Sequence, residues 1–194
     1  MELSDQEAVV ATLKDRHAFS VLVDRYQASI LRYIQRLGML DPDTAKDILQ
    51  ETFIKTYINL NDYDQALPFG SWIYRIAHNE TLTHFRRQKN RPRRARTEDE
   101  ANLFDLVPDE INIAEETDAK LRGARVASAL GKLKREYRDI MVLRFFEGKS
   151  YDEISDILEI PAGTVATNLA RGKKTLETLL QDEHITDVYY GHDG

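Results

Sequence analysis

Apolar side chains recur every three or four positions along most of this chain, and no stretch keeps the two-residue alternation of a strand for long. Ser4, with Glu7 three residues later, predicts a capping box and a short first helix reaching about Asp15. Phe19, Leu22, Val23, Tyr26, Ile30, Tyr33, Ile34 and Leu37 mark a second helix, which Gly38 closes. Asp41-Pro42 supplies an N-cap followed by proline at the first helical position. The helix behind it, from Pro42 to Leu60, places Ala45, Ile48, Leu49, Phe53, Tyr57 and Leu60 on one face. Residues 61–70 read as a loop, with Pro68 and Gly70 as breakers. A fourth helix, from about Ser71 to Lys89, turns Trp72, Ile73, Ile76, Ala77 and Phe85 inward. These four helices are enough for one small bundle.

The periodicity lapses over 91–117, where Pro92, Pro108 and sparse apolar residues describe an extended tether. It resumes with Leu121, Leu130 and Leu133 in one helix, then Tyr137, Ile140, Met141, Leu143 and Phe145 in another, ended by Gly148. The expected fold is all-α: two small helical domains, at 1–90 and 118–180, joined by a flexible acidic linker at 91–117. An acidic tail over 181–194 is expected to fray.

Charge is segregated along the chain. Among 194 residues with a net charge of −6, residues 98–118 carry nine acids and no base. Immediately before them stand Arg86, Arg87, Lys89, Arg91, Arg93, Arg94 and Arg96 with no acid between. Phosphate attraction depends on such local clustering as well as on net charge. Such a run is also compatible with a solvated helix end followed by a polar linker. The chain has no cysteine, which excludes disulfides, thiolate metal sites and cysteine nucleophiles together. Its five histidines are scattered, with no H-E-x-x-H spacing, and it has no Gly-rich phosphate loop. The expectation is a non-enzymatic protein with no metal and no cofactor. No apolar run approaches a membrane span, and the first residues lack a signal-peptide layout, so a soluble cytoplasmic protein without membrane insertion is expected.

Ser150-Tyr151-Asp152-Glu153 is a second capping box, opening a helix through Leu158. Glu159-Ile160-Pro161 makes a short turn, and the next helix buries Val165, Leu169, Leu176 and Leu179. Two helices joined this tightly form a helix-turn-helix, whose second helix enters the DNA major groove. The same spacing occurs in plain helical bundles, so the reading rests on the cap, the turn proline and the terminal basic group together. Thr164, Ala166, Thr167, Asn168, Ala170, Arg171, Lys173 and Lys174 face outward. Asn and Thr suit base edges, while Arg and Lys suit phosphates.

The stretch Arg138-Asp139-Ile140-Met141-Val142-Leu143-Arg144-Phe145-Phe146-Glu147-Gly148-Lys149-Ser150-Tyr151-Asp152-Glu153-Ile154, followed by Ile160-Pro161-Ala162-Gly163-Thr164-Val165, resembles region 4 of extracytoplasmic-function (ECF) sigma factors. In the first half, Asp47-Ile48-Leu49-Gln50-Glu51-Thr52-Phe53 resembles region 2.2 of that family. Residues Phe69-Gly70-Ser71-Trp72-Ile73-Tyr74-Arg75-Ile76-Ala77-His78-Asn79 resemble regions 2.3 to 2.4. The resemblance covers about 19–90 and 120–178, in the family's order.

The resemblance implies a sigma subunit that binds core RNA polymerase and directs it to promoter DNA, melting a −10 element with region 2 and reading a −35 element with region 4. It assigns Asp47, Gln50 and Glu51 to the clamp helices of the polymerase largest subunit, and region 4 to the flap of the second subunit. It assigns −10 DNA to the loop residues Asn61, Asp62, Tyr63 and Phe69 and to Asn79, Thr83, Arg86 and Arg87, with Trp72 structural. It assigns the −35 element to Thr164, Ala166, Thr167, Asn168, Arg171, Lys173 and Lys174. Relatives often carry Asp in place of Thr83 and basic residues in place of Ala166 and Asn168, so atypical −10 and −35 preferences and a weak −35 affinity are expected. An anti-sigma factor is an expected partner. The acidic linker either occupies polymerase channels built for nucleic acid or only keeps the tether soluble. The competing assignment is a stand-alone helix-turn-helix regulator, which leaves the first half of the chain unexplained.

Overall fold

Each predicted start signal opens a helix in the computed structural model, which describes residues 3–38, 40–89 and 125–190, with side chains through 88 and from 125 to 181. Ser4 caps α1 (Asp5–Lys14): its Oγ accepts the Glu7 N–H at 3.3 Å, while the Glu7 carboxylate accepts the Ser4 N–H at 2.8 Å. After a short 3-10 turn, α2 (Phe19–Gly38) buries Leu22, Ile30, Tyr33, Ile34 and Leu37. Asp41 caps α3 (Pro42–Ile58) by accepting from the Asp43 and Thr44 N–H groups at 3.1 and 2.9 Å. Those bonds favour the ionised carboxyl and hold it below the usual carboxylate range. A 3-10 turn (Leu60–Asp62) leads through the loop to α4 (Phe69–Lys89), which begins two residues earlier than its pattern suggests.

The inner face of α3 differs from the sequence reading. Thr52 and Thr56 are fully buried, whereas Tyr57 is 42% exposed and Leu49 and Phe53 are half-buried. The threonines tolerate burial because their hydroxyls donate to carbonyls one turn back, to Ile48 at 2.7 Å and Thr52 at 2.8 Å. Hydrophobicity counting ranks tyrosine above threonine and so rotates the helix the wrong way.

The second half begins with a helical segment α5 over 125–132, then α6 (Arg135–Met141), which runs into a π-helical turn (Val142–Phe146). Gly148, at φ +66°, reverses the chain there. Helix α7 (Tyr151–Leu158) starts on the Ser150–Glu153 capping box, and α8 (Ala162–Tyr190) follows. Helix α8 continues through the segment expected to fray, as far as Tyr190. The predicted linker, the helix start around Leu121 and the basic residues from Arg91 onward lie outside the described residues.

The first half and the helix-turn-helix pack directly on one another. Helix α4 lies against α7, and α2 meets the π turn. Buried side chains of both halves, from Ala8 and Leu22 to Val165 and Leu169, form one connected cluster. Each fully buried leucine or isoleucine contributes roughly 1.5–3 kcal/mol of transfer free energy.

Candidate nucleic-acid and polymerase interfaces

Helices α7 and α8 are fixed by Ile154, Ile157, Val165 and Leu169, all nearly inaccessible to solvent. The turn between them is tied twice. Ser155 Oγ donates to the Ile160 carbonyl at 2.6 Å, and the Pro161 carbonyl accepts the Thr164 and Val165 N–H groups at 2.8 and 3.1 Å. Glu159 ends α7 in the left-handed region at φ 55°, an uncommon conformation for a residue with a Cβ. Behind this pair, α6 approaches α8 closely at Gly172, where a Cβ would meet Met141 Sδ at 3.0 Å and Tyr137 Cβ at 3.2 Å. That glycine was not singled out in the sequence; a small residue between Arg171 and Lys173 is the only signal it leaves.

The outward face of α8 has the composition the sequence suggests. Thr164, Ala166, Thr167, Arg171, Lys173 and Lys174 are exposed, and Asn168 is half-buried. The Thr167 hydroxyl donates to the Gly163 carbonyl at 2.9 Å, leaving its lone pairs to accept. Two neutral turns therefore precede three cations. Lys173 Nζ sits 5.1 Å from the Phe145 ring centroid, a cation–π contact that holds its ammonium toward the π turn.

On α4, Asn79, Thr83, Arg86 and Arg87 follow helical spacing along one face. Asn79 and both arginines are exposed, while Thr83 is half-buried with its hydroxyl donated to the Asn79 carbonyl at 2.8 Å. The loop residues divide. Asn61 and Asp62 stand at the surface, whereas Tyr63 and Phe69 are 7% and 2% exposed. The Phe69 ring lies 5.5 Å from that of Tyr26, 5.4 Å from Tyr63 and 5.7 Å from Trp72. The Tyr63 hydroxyl donates to the Leu67 carbonyl. Phe69 and Tyr63 thus anchor the loop instead of standing open to a base, and Trp72, half-buried, packs beside them against the core, in keeping with its structural assignment. The reason is position: Phe69 opens α4, so its ring falls back onto α2.

Asp47, Gln50 and Glu51 are all exposed, but they border different features. Asp47 and Glu51 edge a small cleft of about 170 Å³ with Glu80, His84 and Arg87. Gln50 edges an open apolar groove of about 620 Å³ floored by Phe19, Val23, Leu49 and Phe53. Ile54 and Ile58, which are 43% and 67% exposed, continue that groove and were missed in the sequence. Their signal was two isoleucines four apart, off the apolar stripe. A second apolar groove of about 510 Å³, lined by Leu130, Met141, Phe145, Phe146, Leu176 and Leu180, opens on the other half.

Among the described residues no helix is long and apolar enough to cross a membrane, and no cluster of three or more His, Asp and Glu could hold a metal ion.

Comparison with known proteins places this geometry. The profile of sigma-70 region 2 matches residues 22–91 and that of sigma-70 region 4 matches 123–176. The chain is 33% identical to the ECF RNA polymerase sigma factor SigW of Bacillus subtilis, over 87% of this chain and 91% of that one. It is 31% identical to the RNA polymerase sigma factor CnrH of Cupriavidus metallidurans, over 89% and 92% of the two chains. The structure of CnrH, solved with the cytosolic domain of CnrY, superposes with a TM-score of 0.66 over 90% of this chain and 95% of that one, at 26% identity. The sigma factor RpoE of Bartonella quintana, solved with the anti-sigma factor NepR, shares the fold at 17% identity, with a TM-score of 0.60 over 84% and 96%. The chain belongs to the ECF group of the sigma-70 family, non-enzymatic RNA polymerase subunits that direct transcription initiation.

Proposed function

We propose that the chain divides promoter recognition between its two halves while α3 and the groove beside it dock on the core polymerase. The outward face of α8 carries the −35 part of this reading: neutral Thr164, Ala166, Thr167 and Asn168 are presented for base edges, and Arg171 and Lys174 for phosphates. On α4, Asn79 and Thr83 are the base-side groups of the −10 face, with Arg86 and Arg87 on the backbone. Asn61 and Asp62, at the rim of the aromatic cluster, are the loop groups best placed to meet an unstacked base.

Core binding is assigned to Asp47, Gln50 and Glu51, with Ile54 and Ile58 as the apolar floor for the clamp helices of the largest subunit. The groove between Leu130, Phe145 and Leu176 suits an amphipathic helix of the second-subunit flap. An anti-sigma partner is supported by the complexes in which CnrH and RpoE were solved. Such a protein works in the cytoplasm, where polymerase and DNA are.

The test is transcription by core polymerase with the full chain on a randomised template library. Enrichment of a two-part motif with a spaced −10 and −35 element supports the reading. Failure to co-elute with core, together with dimeric binding of paired half-sites, would replace it with a stand-alone regulator.

A further inference from the structure

Helix α1 braces the loop that carries Asn61 and Asp62. It packs against the 3-10 turn containing both residues. In its first turn, Gln6 Nε2 donates to the Gln65 carbonyl within the loop, a long bond of 3.4 Å. Asp5, one position earlier, reaches the same loop through α2. One carboxylate oxygen accepts from the Tyr26 hydroxyl at 2.6 Å, and the other from Arg25 Nη1. The Tyr26 ring lies against that of Phe69, at the far end of the loop, and Phe69 meets Tyr63 at the near end. Arg25 also donates through Nη2 to the Leu3 carbonyl, which pins the start of α1 to α2. Asp5 and Gln6 both precede the segment, 22–91, that matches the region 2 profile.

Folding does not require this arrangement. Ala8 and Val9, both buried, already seat α1 in the core, and the Ser4–Glu7 capping box secures its start. The Asp5 and Arg25 side chains are 30% and 26% exposed, and an ion pair so open to water adds little to stability. What Asp5 fixes is direction: it holds the Tyr26 hydroxyl, and with it the ring on which Phe69 rests. Hydrogen bonds inside the loop shape it without orienting it on the helices. They run from the Tyr63 hydroxyl to the Leu67 carbonyl, from the Leu67 N–H to the Asp64 carbonyl, and from the Ala66 N–H to the Asp64 carboxylate. A site for an extruded base needs that outside reference, because small displacements of positioning groups carry large losses in rate.

We infer that Asp5 is a positioning residue for promoter melting: through Tyr26 and Phe69 it sets the loop on which Asn61 and Asp62 meet the unstacked base. The inference rests on the −10 assignment of that loop above. Asp5 touches no DNA in this scheme. It keeps the site formed before the base arrives, so that capturing the base does not carry the cost of ordering the loop.

The test reconstitutes core polymerase with the full chain on a promoter selected from the randomised library. The template is supplied either as duplex or with its −10 segment premelted by mismatched strands, and the rate of first-transcript formation is read on both. Asp5→Ala and Tyr26→Phe each remove the carboxylate–hydroxyl bond. Both are expected to lower the duplex rate about tenfold and the premelted rate less than about twofold. Thermal melts and co-elution with core show that each variant is folded and assembled. Equal losses on the two templates would make Asp5 a merely structural group and overturn the inference. A native duplex rate in either variant would overturn it as well. The double variant Asn61→Ala with Asp62→Ala separates this failure from that of the underlying assignment. If it slows the duplex reaction while Asp5→Ala does not, the inference alone falls. If it leaves the duplex rate native, the −10 assignment of the loop falls and takes the inference with it.

Discussion

The Tyr33 hydroxyl lies 3.0 Å from His78 Nδ1 inside the first half, while His78 Nε2 faces the Asp139 carboxylate of the second half at 3.8 Å. With its proton on Nε2, the neutral imidazole accepts from Tyr33 and turns its N–H toward Asp139. Burial, helped by the Arg135 guanidinium, pushes His78 down to about 4 from its ordinary 6.5. Burial also drives Asp139 up to about 6, against the pull of Arg135 and Arg138. At neutral pH the pair is therefore a neutral histidine beside an ionised aspartate.

These two groups oppose each other as the pH falls. Below pH 6.5 the unfolded chain takes up a proton on His78 that the folded chain refuses until about 4, so this group costs stability across that window. Asp139 does the reverse: the folded chain binds its proton from about 6, the unfolded chain only near 3.8, so stability is gained over that window. Asp139→Asn removes the compensation. Its urea midpoint, relative to the native chain, is expected to fall between pH 7 and pH 4 by an equivalent of about 3 kcal/mol. His78→Gln should shift the difference in the opposite direction. Parallel pH profiles for all three chains would contradict the assignment.

Asp47→Ala combined with Glu51→Ala should weaken association with core polymerase. Both residues are exposed, so the fold should change by no more than about 0.5 kcal/mol. Size-exclusion co-elution at moderate salt, alongside a thermal melt, measures both quantities. Full core affinity in the folded double variant would remove these residues from the interface.

Asn168→Ala should relax the −35 preference at one base pair, by about 1–3 kcal/mol of discrimination. Lys174→Ala should instead weaken binding uniformly and reduce the log–log salt slope by about 0.9. Affinities of a −35 duplex and its single-base variants, taken across a salt series, separate the two. Identical effects of both substitutions would contradict the division between base and phosphate groups on α8.

Gly172→Val is expected to destabilise the second half by about 1–3 kcal/mol, because the added carbons enter space held by Met141 and Tyr137. Urea titration of the full chain measures the loss. An unchanged midpoint would show that α6 moves aside at little cost.

The helix starts were legible because their signals are local. Ser4 with Glu7, Asp41 with Pro42, and Ser150 with Glu153 each fold against atoms within one turn of themselves. The outward face of α8 was legible for a related reason: once the turn at Pro161 is fixed, helical geometry decides which side chains share a face. The family resemblance rests on the same contiguous motifs, and the profiles of regions 2 and 4 match where those motifs lie. Phe69 and Tyr57 were misplaced because burial is set by what packs opposite, and neither residue's neighbours in sequence carry that information.

By itself, then, the sequence determined the helices, their caps, the helix-turn-helix and the two-part plan, all products of short-range hydrogen bonding and periodic burial. Only the tertiary structure decided that Thr52 and Thr56 turn inward, that Phe69 closes a core, and that Glu147 meets Arg36 and Tyr74. Arg36 and Glu147 stand 111 positions apart. An ion pair over that separation leaves no periodic trace in either segment, because what brings the two charges together is the mutual fit of two independently formed helical surfaces.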